Sequence, residues 1–216
     1  MRRAAAYSAD IFLGILQGRG HKRGERGQGL VEFAFLLPVF MLLLLGMLEF
    51  GFVFDQNLTL EYATREGARV GSALANDGGP TGCATVDNQI MAAVQRVLLS
   101  PGSRVKPEAG MTVLIWKADA TGARNAATTN TWTFFGVGSG PTVDGQAIAF
   151  KPVVGSQNWD ACSRSNGTPV DSIGVSLIHT YSFQTPLAGI LKFFGGASAW
   201  QLTMSDKSVM ALNTTN

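Results

Sequence analysis

The dominant hydrophobic pattern is an apolar stretch from Leu30 to Phe54, which reads LVEFAFLLPVFMLLLLGMLEFGFVF. As an α-helix at about 1.5 Å per residue it would extend about 37 Å, which exceeds the roughly 30 Å of a bilayer's hydrocarbon core. The alternative is a buried helix of a soluble core, but such a helix seldom runs this long while apolar on every face. Glu32 and Glu49 lie near the two ends, where a charge costs less than at the bilayer centre. The pattern predicts a transmembrane helix over residues 28–54.

The pattern beyond the apolar stretch predicts two further helical segments. Residues 55–76 lack proline and mix Leu, Ala and Arg, which predicts a helical stalk that ends at the turn Asn76-Asp77-Gly78-Gly79-Pro80. Between Val86 and Leu98, apolar residues recur at i, i+4, i+7 and i+8, the spacing of a helix with one core-facing side.

The C-terminal half predicts strands. Residues 111–117 are β-rich, and residues 173–183 and 200–210 alternate apolar with small or polar side chains, as strands do when one face is buried. Residues 120–170 are rich in Gly, Thr, Asn and Ser, which predicts loops with at most short strands such as 147–153. The predicted fold class is therefore α+β: a long N-terminal transmembrane and stalk helix carrying a small head, residues 77–216, with an antiparallel sheet.

Charge is distributed unevenly along the chain. Of its 17 Lys and Arg and 15 Asp and Glu, six bases and two acids fall in residues 1–27, which leaves 11 bases and 13 acids for the rest. Residues 28–216 are thus mildly acidic and lack the clustered positive charge that phosphate binding requires. We therefore expect no nucleic-acid partner. Because bases precede the apolar stretch and Asp55 and Glu61 follow it, the N-terminus is predicted to be cytoplasmic and the head extracytoplasmic.

Residues with catalytic or metal-binding chemistry are few. The two Cys and two His lack the close-pair spacing of a zinc module, and the chain has no G-x-S-x-G, H-E-x-x-H, P-loop or Rossmann fingerprint. His179 lies on the apolar side of a predicted strand, which favours a packed histidine over a catalytic base. We therefore expect no catalytic residue, no metal, no cofactor and no small-molecule substrate.

Three other residues prompt structural expectations. Cys83 and Cys162 both fall in the outward part, where the compartment is oxidising, so a disulfide between them is expected. The alternative is two unpaired buried thiols. Glu49 is expected at the outer headgroup layer, and a contact with an assembly partner is the other interpretation.

The segment before the apolar stretch reads Arg26-Gly27-Gln28-Gly29-Leu30-Val31-Glu32-Phe33. It resembles type IV prepilins, in which a basic leader ends in Gly and a Glu follows as the fifth residue of the mature chain, ahead of an aromatic residue and an apolar helix. Within that superfamily, GQGLVEFAFLLPVFMLLLLGMLEFG and EYATREGARVGSA resemble the TadE-like proteins of tight-adherence (Tad, or Flp) pili. The resemblance is close over residues 26–76, and it implies a pilin-like fold.

The resemblance also implies site residues. A prepilin peptidase would remove the leader, residues 1–27, between Gly27 and Gln28, and the new amine of Gln28 would pair with Glu32 of a neighbouring subunit, beside Phe33. Cleavage after Gly29 is the alternative, but it would put Glu32 out of register; in an uncleaved anchor Glu32 would instead snorkel to the headgroups.

Pro38 lies inside the predicted span. It removes one backbone hydrogen bond, so a helix kink or a loosened turn is expected there, as in pilins packed into a filament.

The function that the resemblance implies is that of a minor pilin or pseudopilin needed to assemble an adhesive Tad pilus, in surface attachment and biofilm formation. The implied partners are the prepilin peptidase, other pilins and pseudopilins, the inner-membrane assembly platform and the lipid bilayer. The implied location is the bacterial cytoplasmic membrane, crossed once, and then the extracellular pilus. The alternatives are a pseudopilin of type II secretion, and an uncleaved envelope protein whose head binds a ligand or carries an unrecognised activity.

Overall fold

The computed structural model describes residues 24–76, 82–196 and 200–213. The expected leader up to residue 23 and most of the turn at 76–80 lie outside this part of the chain. The helices are α1 (Gly24–Leu74), α2 (Val86–Leu98) and α3 (Leu187–Gly195). The strands are β1 (Thr112–Ala118), β2 (Arg124–Phe134), β3 (Thr142–Val143), β4 (Gln146–Ala147), β5 (Phe150–Gln157), β6 (Ser172–Ser182) and β7 (Gln201–Ala211). The chain divides into two compact units, residues 1–44 and 45–216.

Helix α1 is 51 residues long and contains Pro38. Its long, apolar N-terminal part confirms the helix predicted from the hydrophobic pattern. From Gly27 to Leu44, in the first unit, every side chain is exposed. From Glu49 to Leu74, in the second unit, one face of the helix is buried against the sheet and α2. We call residues 27–44 the anchor segment and residues 49–74 the head-bound segment.

The head contains a five-stranded antiparallel sheet in the order β5-β2-β1-β6-β7. The α+β fold class with an antiparallel sheet is thereby confirmed. Alternation in β6 places Ile173, Val175, Leu177 and Tyr181 in the core that also contains α1 and α2 residues. On the other face, Leu114, Trp116 and Ala118 of β1 form a smaller apolar cluster with Ile178.

Two glycines of the head-bound segment allow close packing. A Cβ atom on Gly67 would lie 2.7 Å from Cγ2 of Val94, and one on Gly71 would lie 2.7 Å from Cδ1 of Ile173. Real Cβ atoms do not approach neighbours so closely. The glycines therefore let α2 and β6 pack directly on the backbone of α1.

The expectation that residues 120–170 are mostly loop is wrong. The 11-residue strand β2 pairs with β1 on one side and with β5 on the other. Threonine is β-branched and suits a pleated surface, so Thr129, Thr131 and Thr133 fit the strand. Trp132 is buried in the core, and its burial also favours the strand.

Candidate functional site

The first turns of α1 hold the residues of the expected processing and assembly site. Glu32 is exposed, and the amide Nε2 of Gln28 donates a hydrogen bond to its Oε1 at 2.9 Å, one helical turn away. Phe33 is exposed beside it, and a Cβ atom on Gly27 or Gly29 would meet nothing within 4 Å. The segment thus presents a carboxylate, an aromatic ring and two unobstructed glycines on an accessible helix.

The anchor segment exposes large apolar side chains along its whole length. Phe35, Leu36, Val39, Phe40 and Leu43 are all more than half exposed. The helix is long and apolar enough to cross a membrane, and the window of highest mean hydropathy, 2.4, has no buried share. Since a core helix of a soluble protein would bury these side chains, this one N-terminal helix is consistent with a single-pass membrane anchor.

Glu49 begins the contact between α1 and the head. The residue is 3% exposed. Its Oε1 accepts hydrogen bonds from the Tyr181 hydroxyl and, at 2.9 Å, from the Gln184 amide, and its Oε2 accepts one from the Thr185 amide at 3.0 Å. The Glu49 carboxylate is therefore bound within its own chain and not by a headgroup or an assembly partner, whereas the expected level of the residue at the outer headgroup layer stays a prediction. Its partners are main-chain and side-chain donors of the same chain, which satisfy a carboxylate that burial would otherwise penalise.

Tyr181 and His179 of β6 bring two further titratable groups to α1. Burial, and then the hydrogen bond to Glu49, raise the pKa of Tyr181. Nε2 of His179 lies 3.2 Å from Oε1 of Gln56, and burial lowers the pKa of His179, with the Glu108 carboxylate opposing the shift. That carboxylate lies 3.3 Å from Nδ1 but outside hydrogen-bonding geometry. His179 is thus a packed histidine, as its position on the strand predicts.

Polar contacts continue along the head-bound segment toward its end. The Thr64 hydroxyl donates to the carboxylate of Asp206, and the Ser72 hydroxyl donates to the carbonyl of Ala211. The amide of Asn213 donates to the carbonyl of Ser72 at 2.8 Å. Sequence reasoning missed this polar face, although a signal was present: Glu49, Gln56, Thr64 and Ser72 recur every seven or eight residues, the spacing of one helix face.

A second group of contacts closes the other side of the head. Cys83 and Cys162 form a disulfide across a sequence separation of 79. Next to it, the buried guanidinium of Arg164 pairs with Asp87 of α2 and stacks on Trp159, 4.4 Å from the ring centre. The Asp87 carboxylate also accepts a hydrogen bond from Asn130 at 2.6 Å. This network joins α2, β2 and the segment that contains Cys162.

The His, Cys, Asp and Glu side chains of the head are dispersed in the part of the chain that the structure describes. No group of three His, Cys, Asp or Glu is placed to hold a metal ion there. A shallow groove of about 420 Å³ runs over the outer sheet face beside Trp116, Ile178 and Lys207. The apolar core, the disulfide and these hydrogen bonds and ion pairs hold the head together.

An exposed apolar helix followed by an α+β head is consistent with the class of single-pass membrane-anchored proteins. Residues 27–69 match the family model described as TadE-like protein, which confirms the resemblance over the anchor segment and most of the head-bound segment. No curated protein and no solved structure matches the chain. The TadE-like match indicates involvement in the Tad pilus system.

Proposed function

We propose that the chain is a minor pilin or pseudopilin that is needed to assemble an adhesive Tad pilus, and that it acts as a structural subunit with no catalytic role. The observation that carries the proposal is the start of the TadE-like match at Gly27, with Glu32 exposed five residues later on an apolar helix. In this proposal a prepilin peptidase cuts between Gly27 and Gln28, and the mature chain begins at the match.

The proposed span is shorter than residues 28–54. Leu30–Leu48 is 19 residues and would extend about 28 Å as a helix, close to the hydrocarbon thickness of roughly 30 Å. The buried carboxylate of Glu49, held by the head, supports a membrane boundary at that residue. With bases before the span, the N-terminus faces the cytoplasm of the bacterium and the head lies outside the inner membrane.

A face of α1 that the head leaves exposed supports the role of a subunit. Met47, Phe50, Phe54, Leu58 and Tyr62 recur at helical spacing and are each at least two-fifths exposed. If the span ends at Glu49, most of this face lies beyond the hydrocarbon, where neither lipid nor the head covers it. We propose that the α1 helices of neighbouring subunits pack against it in the filament or in its assembly complex.

Glu32 supplies the proposed contact between subunits at the cytoplasmic end. Cleavage after Gly27 gives Gln28 a cationic amine, and packing of two helices would bring this amine of one subunit to the Glu32 carboxylate of another. Pairing offsets the desolvation of both charges as the helices leave lipid and headgroups for protein. Pro38 has no amide hydrogen to donate within the helix, and this would let the helix loosen when it is packed.

The first test is the N-terminal sequence and intact mass of the membrane-associated protein, from cells with and without a functional prepilin peptidase. We expect a chain that starts at Gln28 only when the peptidase is present. Gly27→Val should block cleavage and Gly29→Val should not, and a Cβ atom at either position would meet nothing within 4 Å among the residues that the structure describes. A chain that retains residues 1–27 in both strains would instead support the uncleaved anchor.

The second test concerns the role of Glu32. We expect Glu32→Gln to be processed normally but to reduce the protein recovered with sheared pili, or the pili themselves, by at least about tenfold, since one unpaired buried charge costs a few kcal/mol. Glu61→Gln is the matched control, because Glu61 is on the same helix and pairs only at the surface, with Arg65. Normal pili with Glu32→Gln would exclude the proposed charge pairing.

A further inference from the structure

Helix α3, LAGILKFFG, connects β6 to β7 and exposes apolar residues to an unusual degree. None of its nine residues is buried, and the adjacent Phe193 and Phe194 are 83% and 82% exposed. Lys192 is its only charged residue. A short helix that is apolar on most of its surface is not stable toward water unless something else covers it.

The contacts of β6 place the start of α3 beside Glu49 of α1. Ile173, at the start of β6, lies against Gly71, and further along the strand His179 pairs with Gln56 and Tyr181 with Glu49. The strand therefore runs back along α1 toward the apolar stretch. From Gly71 to Glu49 this is about 33 Å of helix, at about 1.5 Å per residue.

The loop that connects β6 to α3 contacts Glu49 of α1. The Gln184 and Thr185 amides that bind the Glu49 carboxylate come just before Leu187, where α3 begins. The amide of Phe183 also donates to the carbonyl of Trp200 at 2.9 Å, so both ends of the α3 connection meet here. Helix α3 thus begins close to Glu49, where the uncharged apolar run of α1 ends.

We propose that α3 is a second membrane contact, which lies in the interface of the bilayer that α1 crosses and inserts Phe193 and Phe194 among the upper acyl chains. The proposal rests on the proposed membrane anchoring of α1. At about 13 Å, α3 is too short to span a bilayer but long enough to lie in its surface. It would bind the head to the membrane at a second point.

Lys192 and Trp200 favour lipid as the occupant. Nζ of Lys192 lies 3.9 Å from the centre of the Trp200 ring. Tryptophan prefers the membrane–water interface, and a lysine there keeps its charge at the headgroups while its stem stays in apolar surroundings. A protein partner would need one complementary groove for two adjacent phenylalanines, whereas acyl chains accommodate both.

The test is quenching of tryptophan fluorescence by brominated lipids, with the full chain reconstituted in phosphatidylglycerol–phosphatidylethanolamine vesicles. Three variants each add one tryptophan: Phe194→Trp in α3, Phe40→Trp in the anchor segment, and Ala123→Trp in the exposed turn at the far end of β1. Ala123 is remote because Ala118, at the end of β1, pairs with Ser172, at the end of β6 away from Glu49. The tryptophan fluorescence of the unmodified chain, measured in the same vesicles, is subtracted from that of each variant.

We expect lipids brominated near the top of the acyl chain to quench Phe194→Trp at least about twofold more than Ala123→Trp, and lipids brominated deeper to quench Phe40→Trp. If Phe40→Trp is quenched and Phe194→Trp is no more quenched than Ala123→Trp, the membrane contact of α3 is overturned while the anchor stands. Absence of quenching in Phe40→Trp overturns the anchor, and the α3 contact with it.

Discussion

The anchor segment and the head-bound segment belong to one helix but have opposite patterns of burial. In the anchor segment, large side chains such as Phe35 and Leu36 are exposed, whereas in the head-bound segment the polar side chains of Glu49, Gln56 and Thr64 are buried. A helix in water would hide the first group and expose the second. The two segments therefore suit different surroundings: lipid or other helices for one, and for the other a sheet face that combines an apolar core with specific polar partners.

The two segments gain the specificity of their contacts in different ways. An exposed apolar helix in lipid gains little from any one neighbour, since lipid tails are as apolar as leucine. Each buried polar group of the head-bound segment, in contrast, must meet its own donor or acceptor, because an unpaired one costs about 1–3 kcal/mol. Contacts such as Glu49 with Thr185 thus fix the register of α1 on the sheet, whereas the anchor segment leaves its contacts open.

The largest expected effect concerns the disulfide of the head. It tests whether the head and the anchor segment unfold separately. Cys83→Ser with Cys162→Ser should lower the free energy of unfolding of the head by about 4 kcal/mol, because the disulfide closes a loop of 79 residues. The measurement is urea unfolding of the full chain in detergent, followed by tryptophan fluorescence and by far-ultraviolet circular dichroism. The fluorescence transition should move and the residual helix signal of the anchor should not.

Reductant supplies the control for the disulfide. It should destabilise the unmodified head by the same amount and leave the double variant unchanged. An unmoved urea midpoint in the double variant would mean that the disulfide adds no stability to the head.

The next effect compares the two glutamates of α1. Glu49→Leu leaves the buried Tyr181 hydroxyl and two partly buried amides without an acceptor, so the head should lose about 3 kcal/mol or more. Glu32→Leu, the matched change in the anchor segment, should leave the unfolding midpoint of the head unchanged, because Glu32 is exposed and its hydrogen bond within the described residues is to its helix neighbour Gln28. Equal urea midpoints for Glu49→Leu and Glu32→Leu would mean that the Glu49 carboxylate stabilises the head no more than the Glu32 carboxylate does.

Sequence alone predicted what depends on local pattern. The apolar run gave α1, the i, i+4 spacing gave α2, and alternation gave β6 with the correct face inward. The site residues Gly27 and Glu32 follow from a motif along the chain, and their roles remain predictions.

The remainder depends on contacts between distant residues. Nothing near Glu49 in sequence indicates that Tyr181 and Thr185, more than 130 residues away, bind its carboxylate. Strand β2 was missed because its threonines and asparagines are also typical of loops, and pairing with β1 and β5 decides between the two. Helix α3 was missed because its nine residues are too few for a clear period.

A smaller effect tests how closely the head-bound segment is packed. Gly67→Val should destabilise the head by about 1–3 kcal/mol, because the new Cβ would overlap Val94 and force α2 to move. Gly51→Val is the matched control: Gly51 lies on the same helix, is exposed, and its Cβ would meet nothing within 4 Å. Since both changes carry the same backbone cost in a helix, the difference in urea midpoint reports the contact alone, and equal midpoints would refute it.

The smallest effect depends on pH, and it distinguishes the segments because only the head-bound one contacts a histidine in the described part of the chain. Burial lowers the pKa of His179 in the folded head below its ordinary value of about 6.5. Between the two pKa values the unfolded chain binds more protons than the folded one, so stability falls as the pH falls. The free energy of unfolding is therefore highest above about pH 7.5 and falls below about pH 6.5. Each pH unit between the two pKa values of His179 lowers it by about 1.4 kcal/mol. Urea midpoints between pH 8 and pH 5 should therefore decline for the unmodified chain and flatten for His179→Gln, which can still pair with Gln56. An equal decline in both would assign the pH dependence to other groups.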